Sequence, residues 1–121
     1  FVLKPLGIRF CRVAPVQESA GMAEMLRRMG LDETDMGSAD GFAGAIFPTV
    51  DGESWVEMWP ETEGVPNGYM LQIIVADADA VAEEAKNNGL NPVGPVDAHG
   101  ERIYYLTAPG ALPVSFQSKL G

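Results

Sequence analysis

Glu57 is the side chain whose surroundings best suit chemistry in this sequence. It stands between Trp55 and Trp59 at alternate positions of the run Trp-Val-Glu-Met-Trp. Side chains alternate across a β-strand, so the carboxylate and both indoles are predicted to share one face. Burial there would favour the neutral acid, which suits proton transfer, while a carboxylate would hold a cationic ligand. A salt bridge to Arg12 or an exposed strand edge would explain Glu57 equally well.

Two further reactive side chains occur only once each. His99 is the only histidine and lies in a predicted loop, where it could serve only as a lone acid–base group. Cys11 is the only cysteine, so the sequence excludes an internal disulfide and a structural zinc site built on cysteines. A metal site with two histidine ligands is also excluded, because His99 is the only histidine.

The composition is that of one compact domain with an excess of acidic side chains. The 121 residues are 46% hydrophobic, and 17 acidic side chains against 8 basic ones give a formal net charge of −9. A nucleic acid and an anionic membrane surface both require clustered Lys and Arg, so neither partner is expected. There is no apolar run near the ~20 residues of a spanning helix and no signal-peptide pattern, so we expect a cytoplasmic protein.

The sequence repeats its pattern of elements at about half its length. Each half begins with a strand-like run and continues with a helical stretch that ends at a Gly-Leu pair, because a glycine in the left-handed conformation ends a helix. The strands are predicted at Ile8–Ala14 and Met70–Ala76, the helices at 18–29 and 77–88, and the stops at Gly30-Leu31 and Gly89-Leu90. The apolar spacing of the first helix predicts one core-facing stripe, made of Met22, Met25, Leu26 and Met29.

A hairpin around a glycine turn follows each predicted helix. The first joins 43–50 to 55–59 and the second joins 103–107 to 113–117. A further short strand is possible after each helix, at 31–34 and 91–93. These elements make two βαβββ modules, at about 7–60 and about 69–121, with 61–68 as the linker.

The second module carries local motifs of a known superfamily. Val75-Ala76-Asp77-Ala78-Asp79-Ala80 lies at a strand–helix junction, Gly100-Glu101-Arg102 opens a strand, and Pro109-Gly110 makes the next turn. With the tandem repeat, these motifs resemble the vicinal oxygen chelate superfamily, which includes glyoxalase I, bleomycin-resistance and extradiol dioxygenase proteins. The resemblance covers the chain, residues 1–121, as one domain. It implies an α+β fold whose mixed sheet curves into a cup with the helices outside.

The resemblance also indicates where a metal ion would bind. Metal-using members place one ligand on the first strand and one on the last strand of each module, usually His, Glu or Gln. Aligning the halves on Val13-Ala14 with Val75-Ala76, and on Gly52 with Gly110, puts Ile8, Glu57, Met70 and Ser115 at those positions. A divalent cation needs several oxygen or nitrogen donors, which Ile8 and Met70 lack and Ser115 supplies poorly. We therefore predict a site with no metal and no cofactor.

Residues that share the parity of these four positions are expected to line the cup. They would make an aromatic and thioether-lined cavity with a few polar groups, which is typical of small-molecule pockets. The predicted ligand-binding residues are Phe10, Arg12, Trp55, Glu57, Trp59, Met70, Gln72, Tyr104 and Ser115. On the next-to-last strand the pattern leaves two choices open, Tyr104 with Arg102 or Tyr105 with Ile103.

Several of these residues have specific expected roles. Arg12 is placed to clamp a ligand carboxylate, and metal-using glyoxalases resemble the chain in having an arginine there. Its alternatives are a salt bridge to Glu57 or a solvated strand end. Trp55 and Trp59 would stack on a flat or cationic ligand, or else belong to the core or a dimer interface. Cys11, of opposite parity, is expected to pack beneath a helix as a small hydrophobe.

The favoured function is metal-free binding of a small organic molecule, aromatic or cationic, in the cup. An acidic chain suits the capture of a cation, as in bleomycin-resistance proteins. The alternatives are a metal-independent enzyme with Glu57 as general acid or base, and a metal-dependent lyase, isomerase or dioxygenase. The expected partners are a small ligand and a second copy of the chain in a homodimer, since two modules pair within one chain or between two.

Overall fold

The computed structural model describes residues 4–34 and 42–121. The chain forms two compact units, one of Arg9–Tyr69 and one of Met70–Gly121 together with the described residues up to Ile8. The elements are β1 (Gly7–Ala14), α1 (Val16–Arg28), β2 (Ala45–Pro48), β3 (Trp55–Pro60), β4 (Gly68–Ile74), α2 (Ala78–Asn87), β5 (Val93–Ala98), β6 (Glu101–Ala108) and β7 (Leu112–Lys119). Among the described residues, no helix combines the length and the apolar character needed to cross a membrane.

The first unit is a mixed sheet with one helix packed on it. The strand order is β2-β3-β1, with β2 antiparallel and β1 parallel to β3. Its core consists of Ala23 from α1 and of Ala45, Phe47 and Met58 from the sheet. The even-numbered residues of β3 therefore face the helix.

The inner face of α1 differs from the predicted stripe. Ser19 and Ala23 are its buried residues, whereas Met25 and Met29 are 55% and 64% exposed. The small side chains allow the helix to approach the sheet closely, and the Ser19 hydroxyl donates to the carbonyl of Trp59 (2.9 Å). The prediction that Met25 and Met29 belong to the core is wrong, because the helix is rotated to place these small residues inward.

The second unit repeats the arrangement, with one strand more than the described part of the first unit. The order is β4-β7-β6-β5, with β4 parallel to β7 and the other pairs antiparallel. Val75, Ala78, Ala82, Tyr104 and Phe116 form its core beneath α2. Both units combine a mixed sheet with a helix, which confirms the predicted α+β class.

The helix stops and hairpins lie close to their predicted positions. Gly30 and Gly89 have φ values of 87° and 89°, in the left-handed region, just after the two helices. The predicted hairpins correspond to β2–β3 and β6–β7. Residues 31–34 form no strand, and the additional strand of the second unit is β5, which begins at Val93 and not at residue 91.

Candidate functional site

In the first unit, the register of β1 against β3 defines one face of the sheet. Arg9 lies opposite Trp55 and Cys11 lies opposite Glu57. Residues opposite each other on paired strands point to the same side, and Trp59 has the same parity as Trp55 and Glu57. We call these five residues the tryptophan face. It lies on the other side of the sheet from Met58 and α1.

Glu57 is the buried acid of the tryptophan face, with 8% of its surface exposed. The indole Nε1–H of Trp55 donates to its Oε2 (3.1 Å). The thiol of Cys11 also donates to the Glu57 carboxylate. Burial, and then the charge of Glu57 and this hydrogen bond, raise the pKa of the Cys11 thiol to about 12. Cys11 therefore stays protonated at neutral pH and is a weak nucleophile there.

Arg9 completes this face and was not among the predicted residues. It is 7% exposed, and its guanidinium carbon lies 3.6 Å from the centre of the Trp55 ring. A cation this close to an indole face is attracted by the negative potential of the ring. The sequence could have identified Arg9 only if the register of β1 had been known.

Phe10 and Arg12 point to the opposite side of β1 from Glu57, so their predicted orientation is wrong. The Arg12 Nη1 donates to Asn67 Oδ1 (2.6 Å) and to the Gly68 carbonyl (3.1 Å), and the guanidinium lies over Tyr69. Phe10 also contacts Tyr69, with ring centres 6.0 Å apart. Arg12 thus fastens the segment at 67–69 to β1. Cys11, predicted to pack beneath a helix, instead belongs to the tryptophan face.

The strand registers explain this error. They match Cys11, which lies opposite Glu57, with Gln72, which lies opposite Ser115. The alignment of Val13 with Val75 instead matches Cys11 with Ile73, so it shifts β1 by one residue. Because the side-chain period of a strand is two, that shift turns every side chain to the other face.

The second unit has a face of different chemistry, which we call the amide–hydroxyl face. It comprises Gln72, Tyr105, Ser115 and Gln117, since Gln72 and Tyr105 both lie opposite Ser115. The Ser115 hydroxyl donates to Gln117 Oε1 (2.8 Å), and Gln117 Nε2 donates to Glu101 Oε1 (3.0 Å). Ser115 and Gln117 are 1% and 4% exposed, so their polar groups are paired with each other in the interior.

The predicted orientation of Gln72 and Ser115 is therefore confirmed by the strand register. Met70 precedes Gln72 by two positions, and its sulfur accepts a weak hydrogen bond from Gln72 Nε2 (3.9 Å). That any of these side chains binds a ligand remains a prediction.

Tyr104 lies on the α2 side of the sheet, so its predicted place in the cup is wrong. Its ring stacks on Phe116 with centres 5.3 Å apart, and its hydroxyl donates to Asp79 Oδ1 (2.5 Å). That hydrogen bond is the main reason the pKa of Tyr104 is raised. The sequence left two choices open for the residues on the same side as Ser115. The structure selects Tyr105 with Ile103, which lie opposite Ser115 and Gln117.

The donor groups at the strand positions fit a divalent cation poorly. The opposed pairs are Cys11 with Glu57 and Gln72 with Ser115, not the predicted Ile8 and Met70 partners. The Ser115 hydroxyl is a weak neutral donor and the Cys11 thiol is hydrogen-bonded to Glu57, which leaves the Glu57 carboxylate and the Gln72 amide oxygen, fewer good oxygen donors than a divalent cation needs. Within residues 4–34 and 42–121, no three His, Cys, Asp or Glu side chains come together as a metal site would require.

The second unit has two other features that could do chemistry. His99 is exposed, in the turn between β5 and β6, with a φ of 54°. A cleft of about 490 Å³ in the second unit lies between the α2–β5 connection, at 89–93, and strands β6 and β7. Tyr105, one of the two choices that the sequence left open, lines this cleft with Leu106 and Val114, and the other predicted binding residues do not.

Comparison with known proteins identifies the fold. No protein-family model matches the sequence, and no curated protein does. Methylmalonyl-CoA epimerase from Mycobacterium tuberculosis is similar in structure, with a TM-score of 0.61 at 12% identity over 98% of this chain and 88% of that one. Hypothetical protein BH1468 from Bacillus halodurans C-125 gives a TM-score of 0.63 at 19% identity over 100% and 97% of the two chains.

A third similar structure carries a superfamily name. It is a glyoxalase/bleomycin resistance protein/dioxygenase superfamily member from Vibrio splendidus 12B01, with a TM-score of 0.60 at 11% identity over 98% of this chain and 100% of that one. Identities this low establish the fold and leave the activity to be argued from the site. The chain therefore has the fold of the glyoxalase/bleomycin resistance protein/dioxygenase superfamily, as its sequence motifs implied.

Proposed function

We propose that this protein binds a small organic molecule of aromatic or cationic character on the tryptophan face, without a metal ion. The observation that carries the proposal is the presence of a buried carboxylate, Glu57, on the same strand face as two indole rings. Indole rings and carboxylates both attract organic cations, and the rings also stack on flat apolar groups.

The charge of the whole chain supports a cationic ligand. A formal net charge of −9 raises the local concentration of cations around the protein. The donor chemistry at Cys11, Glu57, Gln72 and Ser115 supports the metal-free form of the proposal.

A thermal-shift screen tests this function. The panel contains planar aromatic cations such as N-methylquinolinium, aromatic carboxylates and neutral aromatics, each with and without EDTA. A ligand that binds only the native state at 100 times its Kd stabilises it by about 2.7 kcal/mol. We expect the aromatic cations to raise the Tm and EDTA to change nothing.

Two matched variants connect the binding to Glu57. Glu57→Gln and Glu63→Gln each remove one negative charge, but Glu63 is exposed and lies outside the tryptophan face. We expect Glu57→Gln to lose at least tenfold in affinity for N-methylquinolinium and Glu63→Gln to bind like the wild type. Equal binding by both variants, or a Tm that rises only with an added divalent metal, would overturn the proposal.

The homodimer and the cytoplasmic location expected from the sequence belong to the same proposal. Light scattering during size-exclusion chromatography tests the dimer, and a mass of 12.9 kDa would contradict it.

A further inference from the structure

The two tryptophans of the tryptophan face are held in different ways. Trp55 is engaged on both its ring and its nitrogen. The Arg9 guanidinium lies over its ring at 3.6 Å, and its Nε1–H donates to Glu57 at 3.1 Å. These contacts within the chain already use the groups through which Trp55 would bind a flat ligand.

Trp59 lies instead against a glycine. Gly44 directly precedes β2, whose first residue, Ala45, is paired with Met58 of β3. In this antiparallel register Gly44 comes opposite Trp59. A Cβ atom at position 44 would lie 2.3 Å from Cε3 and 2.4 Å from Cζ3 of Trp59. The indole ring therefore lies across the bare backbone of Gly44. The φ of Gly44, 135°, is also one that L-residues rarely adopt.

The position of the Trp59 backbone is fixed independently of its ring. Its carbonyl accepts the Ser19 hydroxyl (2.9 Å), which connects this end of β3 to α1. The ring is thus supported by Gly44 below and by a fixed main chain, while part of the side chain stays accessible. A rigid aromatic surface loses little conformational entropy when a ligand binds to it.

We infer that Trp59, lying on Gly44, is the stacking surface for a planar aromatic ring of the ligand, and that Gly44 is the positioning residue of this surface. The inference rests on the proposed function and narrows its ligand class to molecules with a flat aromatic ring. Trp55 instead holds the Glu57 carboxylate through its N–H and pairs with Arg9.

Fluorescence titration of single-tryptophan variants tests this assignment, because the chain has only two tryptophans. N-methylquinolinium is the probe, since it is flat, cationic and quenches indole emission on contact. Trp55→Phe keeps Trp59, and its emission should be quenched in a saturable way. Trp59→Phe keeps Trp55, and it should bind the probe about tenfold more weakly, with little saturable quenching.

Gly44→Ala tests the support beneath the ring while both tryptophans are kept. It should weaken binding about as much as Trp59→Phe and change the near-ultraviolet circular dichroism of the indoles. Far-ultraviolet circular dichroism and the Tm establish that each variant is folded. If Gly44→Ala does not fold, the two tryptophan variants still decide the question.

The possible failures can be told apart. If the wild type binds the probe and Trp59→Phe binds it equally well with quenching of Trp55, this inference is overturned and the proposed function stands. If the wild type binds none of the aromatic cations, both are overturned.

Discussion

The two units share an order of elements but differ in the chemistry of the tryptophan face and the amide–hydroxyl face. In the first, the residues opposed on the parallel strands are Cys11 and Glu57. In the second, they are Gln72 and Ser115. One pair joins a carboxylate to a protonated thiol, and the other joins two neutral hydrogen-bonding groups. The internal repeat thus preserves the strand positions of these side chains but not their chemical type.

The helix sides of the two sheets differ as well. The second unit places Tyr104 against Phe116 and fixes the Tyr104 hydroxyl on Asp79 at the start of α2. In the first unit, the corresponding hairpin pair is Ala45 and Met58, which contains no aromatic ring or hydroxyl. We therefore expect the stability of the second core to depend more on single large side chains than that of the first.

The largest effect is expected from truncation of the stacked aromatic pair. Phe116→Ala should lower the free energy of unfolding by about 3–5 kcal/mol, because it removes a buried ring and its partner contact with Tyr104. Met58→Ala, which truncates a fully buried side chain of the other core, is expected to cost less, about 2–4 kcal/mol. Urea unfolding measures both. A larger loss for Met58→Ala would contradict the contrast between the cores.

The next effect concerns the thiol of the first unit. With its pKa raised from 9.0 to about 12, Cys11 should react with iodoacetamide at pH 8 roughly a thousand-fold more slowly than an ordinary thiol. Glu57→Gln should speed the reaction, because the carboxylate charge and its hydrogen bond both raise this pKa. Burial remains in the variant, so the rate should stay below that of a free thiol. Mass spectrometry follows the alkylation, and an unchanged rate in Glu57→Gln would disprove the coupling.

A smaller effect, dependent on pH, is expected at the start of α2. Hydrogen bonds from Tyr104 and then Arg102 lower the pKa of Asp79. A lowered pKa means that Asp79 stabilises the fold above its unfolded pKa, about 3.9, and that this contribution is lost as the pH falls through the folded value. Asp79→Asn should therefore be less stable than the wild type at pH 7, and the difference should shrink as the pH falls below the unfolded pKa of Asp79 and through its lower folded pKa. Glu83→Gln on the same helix is the control, and thermal unfolding across this pH range is the measurement.

The smallest effect is expected within the amide–hydroxyl face. Ser115→Ala removes the hydrogen bond to Gln117 from a buried pair and should cost about 1 kcal/mol in the free energy of unfolding. Urea unfolding measures the loss, and a Ser115→Ala variant as stable as the wild type would contradict the prediction.

The sequence predicted the fold well because the signals were local and repeated. Gly30 and Gly89 mark the ends of the helices, and the hairpin turns lie where glycine and proline occur between apolar runs. Such turn and capping chemistry depends on a few neighbouring residues, so it can be read without knowledge of the partner strands.

The site was predicted less well, because the side of the sheet to which a residue of β1 points relative to β3 depends on the pairing of strands that are distant in sequence. Trp55, Glu57 and Trp59 lie on one strand, and their shared face followed from alternation alone. Phe10 and Arg12 were assigned through an alignment of the halves that is one residue out of step with the strand registers, which reversed them. Arg9 was missed for the same reason. In α1, Met22 and Leu26 pack against the core as predicted, but the buried small residues Ser19 and Ala23 lie nearest the sheet, and Met25 is exposed.

The hold of Arg12 on the segment after β3 has a practical consequence for cutting the chain. The guanidinium donates hydrogen bonds to Asn67 and Gly68 and lies over the ring of Tyr69. Residues 67–69 therefore provide most of the contacts of this β1 side chain. An expressed fragment that stopped at Pro60 would keep the Val13 carbonyl as an acceptor for Arg12 but would lose Asn67, Gly68 and the Tyr69 ring. A fragment designed around the first helix should therefore extend to Tyr69.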